Sequence, residues 1–166
     1  MKISFAFVLI FLSISLFAQK NGDTLAMRFQ KADSLQIISH ENLTIIDTSL
    51  GAINRLIVIN NIPNEKIIKE RITLSETSKK NLIDLFQYHK NINGQKDIKC
   101  FEPHHSVLIF KNGKCSYIDI CFQCENYSIS KDLTVTRNFL NTAEDWKKLE
   151  DFFRNKNIHY EMPRKE

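Results

Sequence analysis

The stretch SVLIFKNGKCSYIDICF, residues 106–122, carries the strongest structural signal in the chain. Asn112-Gly113 separates two apolar runs that suit strands, and both residues accept the positive φ angles of a type I′ turn. The pattern predicts a β-hairpin over residues 105–122. Because a two-residue turn sets the register of its strands, the hairpin also predicts which side chains face each other.

The predicted register divides the four cysteines of the chain into three plus one. Cys100 and Cys124 extend to the open end of the hairpin beside Cys121, whereas Cys115 lies next to the turn. Cys115 and Cys121 are separated by about 20 Å at strand rise, and a disulfide needs Cα atoms within about 7 Å. Two intramolecular disulfides are therefore not expected. The predicted pairs are Lys111 with Lys114, Phe110 with Cys115, Leu108 with Tyr117, Ser106 with Asp119, and His104 with Cys121.

Further strands are predicted at residues 33–39, 53–60 and 66–74, with the second of these the more deeply buried. The third alternates cleanly, and Glu70 on its apolar face indicates an edge strand or a strand end. Residues 127–139 suit either a strand or an ordered loop. A short strand is expected at residues 158–160.

Two helices are predicted from apolar spacing and from capping residues. Ser75 is a suitable N-cap for a helix over residues 76–89. Thr142 and Asp145 form a capping box ahead of a second helix over residues 143–155. The fold class that follows is α+β, with an antiparallel or mixed sheet of about four to six strands and both helices packed on one face.

The first 31 residues predict an export signal, followed by a polar segment that is frayed and precedes the folded domain. Lys2 precedes an apolar run that ends at Ala18, which is the layout of a signal peptide over residues 1–18. The remaining residues 19–166 are expected to form a single domain in the periplasm or outside the cell, with residues 20–31 as a polar lead-in. No later stretch is long and apolar enough to span a membrane.

The charge pattern does not suggest a nucleic-acid partner. The formal net charge is +4, and basic residues are mixed with acidic ones throughout the chain. A basic stripe with interleaved aromatic residues does not occur, so nucleic-acid binding has little support.

Three interpretations of the cysteine cluster remain open. Three cysteines and one histidine match a structural zinc site, with Asp119 as a carboxylate able to orient His104 from the same face. Alternatively, Cys100 forms a disulfide with Cys121 or Cys124, because disulfides persist outside the cytoplasm. In a third interpretation Cys121 and Cys124 form a redox pair. The candidate metal ligands are Cys100, His104, His105, Cys121 and Cys124.

The segment from Cys100 to Cys124 resembles a motif of small exported or lipid-anchored bacterial proteins of unknown function, several from Bacteroidetes. Their pattern is C-[YF]-x-P-[RH]-H, a strand, a turn, and Y-[IF]-E-[IV]-C-F-x-C. The resemblance implies that His105 is preferred over His104 as the ligand, although the register places His105 on the face opposite Cys121. A bulge or bend at Pro103 would resolve this conflict. The matching residues are Cys100, Pro103, His105, Tyr117, Cys121, Phe122 and Cys124.

These observations favour a non-enzymatic exported domain that serves in binding or in envelope structure, with an envelope protein as a candidate partner. The alternative is a periplasmic thiol–disulfide or metal-dependent enzyme that uses the cluster. Three further histidines, His40, His89 and His159, are isolated in the sequence, and ordinary core or surface roles are expected for them.

Overall fold

The structure, a computed structural model, describes residues 25–86, 101–133, 140 and 142–164. The predicted signal peptide, Cys100 and His89 lie outside these residues. The described elements, in chain order, are α1 (Leu25–Lys31), β1 (Ser34–His40), β2 (Thr44–Asp47), β3 (Gly51–Asn54), β4 (Val58–Ile59), β5 (Ile62–Pro63), β6 (Ile68–Thr73), α2 (Glu76–Leu85), β7 (His105–Lys111), β8 (Lys114–Cys121), β9 (Asn126–Ile129) and α3 (Ala143–Arg154).

The main sheet has five strands in the order β6-β1-β7-β8-β9, and every neighbouring pair is antiparallel. Two small two-stranded sheets, β2-β3 and β4-β5, accompany it. The α+β prediction is therefore confirmed, and the strand β6 lies at an edge, as the polar Glu70 indicated. No helix among the described residues has the length and apolar character needed to cross a membrane.

The predicted hairpin forms the centre of the fold. Asn112 has a φ of 50° and Gly113 a φ of 72°, as a type I′ turn requires. The observed partners agree with the predicted register, with Phe110 opposite Cys115 and Ser106 opposite Asp119. A short sequence signal was sufficient here because the turn geometry and the alternation of apolar residues agree.

The two faces of the sheet bury different clusters. The three helices pack on one face over Ile37, Val107 and Ile118 from the central strands. The other face is covered by Ile57 and Ile67, together with other residues of the segment that contains the β4-β5 hairpin. Strand alternation sends neighbouring residues of β7 and β8 to opposite clusters.

Helix capping follows the sequence closely. The Ser75 side chain accepts a hydrogen bond from the backbone N–H of Ser78 at the start of α2. Thr142 and Asp145 form the complete capping box of α3. The predicted end of the first helix, at residue 89, lies outside the described residues.

The expectation of a polar lead-in over residues 20–31 is wrong in its described part. The helix α1 begins at Leu25, and its Leu25 and Phe29 side chains are buried in the helix-side cluster. Their spacing of four residues places both on one helix face, so tertiary packing stabilises a helix too short to form alone.

The expectation of one buried strand over residues 53–60 is also wrong. The chain forms two separate hairpins there, and Leu56 is 59% exposed although Ile57 is buried. Asn60 and Asn61 have φ angles of 51° and 65°, so they form a second two-residue turn with positive φ. The Asn-Asn pair between apolar residues was a usable signal for this turn.

Residues 158–160 do not form the expected strand. The chain leaves α3 through Asn157, whose φ of 60° is the left-handed conformation that ends many helices. The backbone N–H of Ile158 then donates to the carbonyl of Phe153, and the Ile158 side chain is buried. This capping motif satisfies the helix end and turns the chain toward β6.

Candidate functional site

A cavity of about 300 Å³ lies at the open end of the β7-β8 hairpin. Its described lining combines polar side chains from three parts of the chain: the segment before β7, the turn after β8 and the segment after α3. Three of the five candidate ligands, His104, His105 and Cys121, lie together here. The described lining residues are Glu102, His104, His105, Cys121, Phe122, Gln123 and Glu161.

His105 belongs to the helix-side face of the sheet. Its ring is 1% exposed and lies 5.0 Å from the Phe122 ring and 5.9 Å from the Phe153 ring, between ring centres. The Nε2 atom donates a 2.9 Å hydrogen bond to the carbonyl oxygen of Tyr160. Burial lowers the pKa of His105 to about 3, so the ring is neutral and Nδ1 carries the lone pair.

His104 is held with the other ring nitrogen protonated. Its Nδ1 donates a 3.3 Å hydrogen bond to the carbonyl oxygen of His40, which leaves the Nε2 lone pair for another partner. Because a carbonyl oxygen can only accept, the nitrogen that faces the carbonyl in each cavity histidine carries a hydrogen. Metal-binding histidines are commonly oriented in this manner, with one nitrogen on a backbone carbonyl.

His40 is a third histidine of this region that sequence reasoning missed. Its ring stacks on the His104 ring with centres 6.4 Å apart, and the residue is fully buried. Nδ1 donates 2.8 Å to the Glu41 carbonyl, and Nε2 has no hydrogen-bond partner among the described residues. Burial lowers the pKa of His40 to about 4. Its sequence neighbours gave no signal, because the contact depends on the pairing of β1 with β7.

The thiols of Cys121 and Cys124 meet in the turn that follows β8. The backbone N–H of Cys124 donates a 3.3 Å hydrogen bond to Cys121 Sγ, and the two side chains are also hydrogen-bonded. Burial raises the pKa of the Cys121 thiol, and the Cys124 side chain raises it further, whereas backbone N–H groups oppose both effects. Without an added positive charge, Cys121 therefore remains a thiol at neutral pH.

Two further residues, Cys115, which the sequence set apart from the cluster, and Asp119, the predicted orienting carboxylate, lie apart from the cavity lining. Cys115 is buried beside the turn in the second cluster, and burial raises the pKa of its thiol to about 11. Asp119 is 4% exposed and accepts a 2.8 Å hydrogen bond from Ser106 Oγ. Its position beside Ser106 follows the predicted register, and burial raises its pKa to about 7.

The described donors line one cavity but do not converge on one point. Within residues 25–86, 101–133, 140 and 142–164, no three His, Cys, Asp or Glu side chains are arranged to hold a metal ion. No disulfide joins any two of Cys115, Cys121 and Cys124. Both disulfides considered from the sequence require Cys100, which lies outside the described residues, so they remain predictions.

The electrostatic character of the cavity differs from that of the whole chain. Glu102 and Glu161 contribute two carboxylates, and no Lys or Arg occurs among the described lining residues. The two histidines are arranged as lone-pair donors, and Cys121 adds a sulfur. The chain as a whole carries a net charge of +4, so this donor-rich, acidic site is a local feature.

Comparison with known proteins finds no family model that matches the chain, and no match among curated proteins or solved structures.

Proposed function

We propose that this chain is an exported, non-enzymatic domain that binds a divalent metal cation in the cavity at the base of the β7-β8 hairpin. Zinc is the cation that we expect to bind most tightly. Export rests on the signal-peptide pattern of residues 1–18. The observation that carries the proposal is the cavity lining, which brings His104, His105 and Cys121 together with two carboxylates.

The histidine tautomers support a metal over an organic ligand. His104 and His105 each commit one N–H to a backbone carbonyl, so each can present a neutral nitrogen lone pair. Imidazole and thiolate are the donors that zinc prefers. Since the described donors do not converge, a bound cation would draw these side chains together or recruit Cys100.

The charge of the cavity supports a cation over an anion. An anionic ligand would face Glu102 and Glu161 without a described basic side chain in the lining. A divalent cation would offset both carboxylates, and it would also lower the pKa of a coordinating thiol. In this proposal Cys121 binds as a thiolate, with Cys124 beside it as a second sulfur donor.

A thiol–disulfide enzyme is the second candidate, because the Cys121 and Cys124 thiols are in contact. A catalytic cysteine of this kind is usually activated by a lowered pKa. The pKa of the Cys121 thiol is instead raised, which makes it a poor attacking group. A disulfide between Cys100 and either of the other two cysteines would serve as a structural clamp without catalysis.

The decisive experiment measures metal content and intact mass on the exported protein. We expect one zinc per chain, and no gain of hydrogen mass when the protein is reduced and denatured. Cys121→Ser and His104→Ala should each lower zinc affinity by at least about tenfold. Cys115→Ser is the matched control, because it removes a buried cysteine far from the cavity and should retain zinc.

Three results would contradict the proposal in different ways. A protein without metal that gains two hydrogens on reduction would have a disulfide clamp. Zinc that is bound equally well by Cys121→Ser, His104→Ala and the parent would lie at another site. Reduction of a test disulfide that Cys121→Ser abolishes would favour the enzyme.

A further inference from the structure

The segment after α3 crosses one side of the cavity, and residues 159–163 are called the strap below. Glu161 of the strap lines the cavity directly. His105, another lining residue, donates its Nε2 hydrogen bond to the strap carbonyl of Tyr160. The strap and the cavity therefore share the His105 side chain.

The strap is fastened by side chains instead of a backbone ladder. The carboxylate of Glu70 accepts the backbone N–H of His159 at 3.0 and 3.1 Å and that of Tyr160 at 3.0 Å. Ser39 Oγ donates to the same carboxylate at 2.6 Å, which orients it. The polar Glu70 on the apolar face of β6 thus has a defined role, since it accepts the hydrogen bonds that hold the strap.

The strap has an anchor at each end and a lightly buried span between them. At its far end Met162 packs against the helix-side cluster, and the Arg154 guanidinium donates a hydrogen bond to the carbonyl of Pro163. Ile158 is fully buried immediately before the strap, whereas His159 and Glu161 are exposed and Tyr160 is half-buried. Glu161 has a φ of 52°, an uncommon conformation for this residue type that opening would relieve. Segments with little buried surface and few backbone contacts open at low free energy.

We propose that the strap is a gate over the cavity. It is anchored at Ile158 on one side and at Met162 and Pro163 on the other, and its middle span is held closed by the hydrogen bonds that Glu70 and His105 make to it. Opening breaks those bonds, moves Glu161 out of the lining and exposes Cys121 to solvent. The gate rests on the proposed function in one respect. A cation that binds Nδ1 of His105 would orient the ring, whose Nε2 donates to the Tyr160 carbonyl. Cation binding and closure of the strap would then favour each other.

The gate is tested on metal-free protein by the rate at which N-ethylmaleimide modifies Cys121, located by peptide mass mapping. Hydrogen exchange at residues 159–162 reports strap opening in the same samples. Glu70→Gln keeps the side-chain shape but removes the charge that accepts the strap N–H groups. We expect both rates to rise by about tenfold or more, since a hydrogen bond to a charged group has that order of effect.

Controls separate opening of the strap from loss of the fold. Glu65→Gln removes a carboxylate that pairs with Arg71 of the edge strand β6 and not with the strap, so both rates should stay at the parental value. Cys115 modification is the internal control, because global unfolding would raise it together with Cys121. Ser39→Ala, which loosens Glu70 without touching the strap, should give an intermediate increase.

Two outcomes would overturn the gate. One is faster exchange of the strap in Glu70→Gln with an unchanged Cys121 rate, which would mean that the strap does not cover the cavity. The other is no change in either rate, which would mean that Glu70 does not hold the strap. Both rates are measured on metal-free protein. A parent protein that fails to bind zinc therefore refutes the proposed function, whereas the gate is judged by the two rates alone.

Discussion

Ser106 and Asp119 face each other across the β7-β8 pair, and the Ser106 hydroxyl donates a 2.8 Å hydrogen bond to the buried Asp119 carboxyl. The sequence placed Asp119 on the face of His104, as a carboxylate able to orient it. The observed partner is the serine directly opposite. Directly paired residues are closer than diagonal ones, so the shorter contact is favoured.

The Ser106–Asp119 hydrogen bond should stabilise the fold independently of any metal. Ser106→Ala removes the donor and leaves a buried acceptor, which should lower the free energy of unfolding by about 1–3 kcal/mol. Asp119→Asn retains an acceptor oxygen and should cost less. Urea denaturation of both single variants and of the double variant gives the coupling between them. Equal costs for Ser106→Ala and for Ser49→Ala, at an exposed hairpin tip, would refute this view.

Replacing Gly113 should lower the free energy of unfolding, because a residue with a Cβ atom is strained at the positive φ of this turn. Gly113→Ala adds a methyl group into open space, but at a φ of 72° the left-handed conformation should cost about 1–2 kcal/mol. Gly51→Ala is the matched control, with a φ of 78° and also no atom within 4 Å. Because Gly51 lies in the separate β2-β3 sheet, local opening can relieve its strain, and its effect on global unfolding should be smaller.

The aromatic cluster behind the cavity should be a main source of stability. Phe153 is fully buried, with its ring centre 5.3 Å from that of Phe122 and 5.9 Å from that of His105. Phe153→Ala should lower the free energy of unfolding by about 3–5 kcal/mol. Phe101→Ala, at a 41% exposed position, should cost much less in the same thermal or urea measurement. A comparable loss for both variants would contradict the assignment of the core.

Acid should lower the stability that the ion pairs of Glu41 with Arg55 and Lys69 give to the fold. Hydrogen bonds from Lys69 and Arg55, both at 2.5 Å, lower the pKa of Glu41 from 4.5 to about 2. A carboxyl with a lowered folded-state pKa stabilises the fold above its unfolded value, and this stability is lost as pH falls from about 4.5 to about 2.

Urea unfolding of the parent and of Glu41→Gln across this pH range tests the cluster. The parent should lose more stability on acidification than Glu41→Gln, which has no carboxyl to protonate. Lys69→Met should reduce the difference, because Lys69 is the largest cause of the lowered pKa. Identical pH profiles for all three proteins would show that the cluster contributes nothing to folding. Since the groups are partly exposed, salt should diminish the effect.

Two of the three wrong expectations about the fold have physical causes that the sequence pattern explains. The helix α1 carries only two fully buried side chains, Leu25 and Phe29, so its sequence lacks the long apolar stripe by which helices are recognised. The apolar run at residues 53–60 has the composition of a buried strand, but β3 ends at Asn54, β4 begins only at Val58, and the turn at Asn60-Asn61 ends the run. Composition alone did not reveal that much of this run faces solvent.

The candidate site was predictable where it depends on one hairpin. The turn at Asn112-Gly113 brings His104 and Cys121 to the same end through local pairing. His40 and Glu161 join this region from 64 and 57 residues away from His104, counted in the sequence. No local pattern links residues at such separations, because their contact depends on how β1 and the strap pack.

The amino-acid sequence by itself determined the hairpin, its register, the capping of both predicted helices and the separation of Cys115 from Cys121 and Cys124. Each of these depends on turn conformation, strand alternation or capping, which act over a few neighbouring residues. Only the tertiary structure decided which nitrogen of each cavity histidine is protonated, that Glu70 binds the strap, and that two carboxylates line the cavity. These features arise from contacts between distant segments, whose free energies depend on burial and geometry that no short stretch contains.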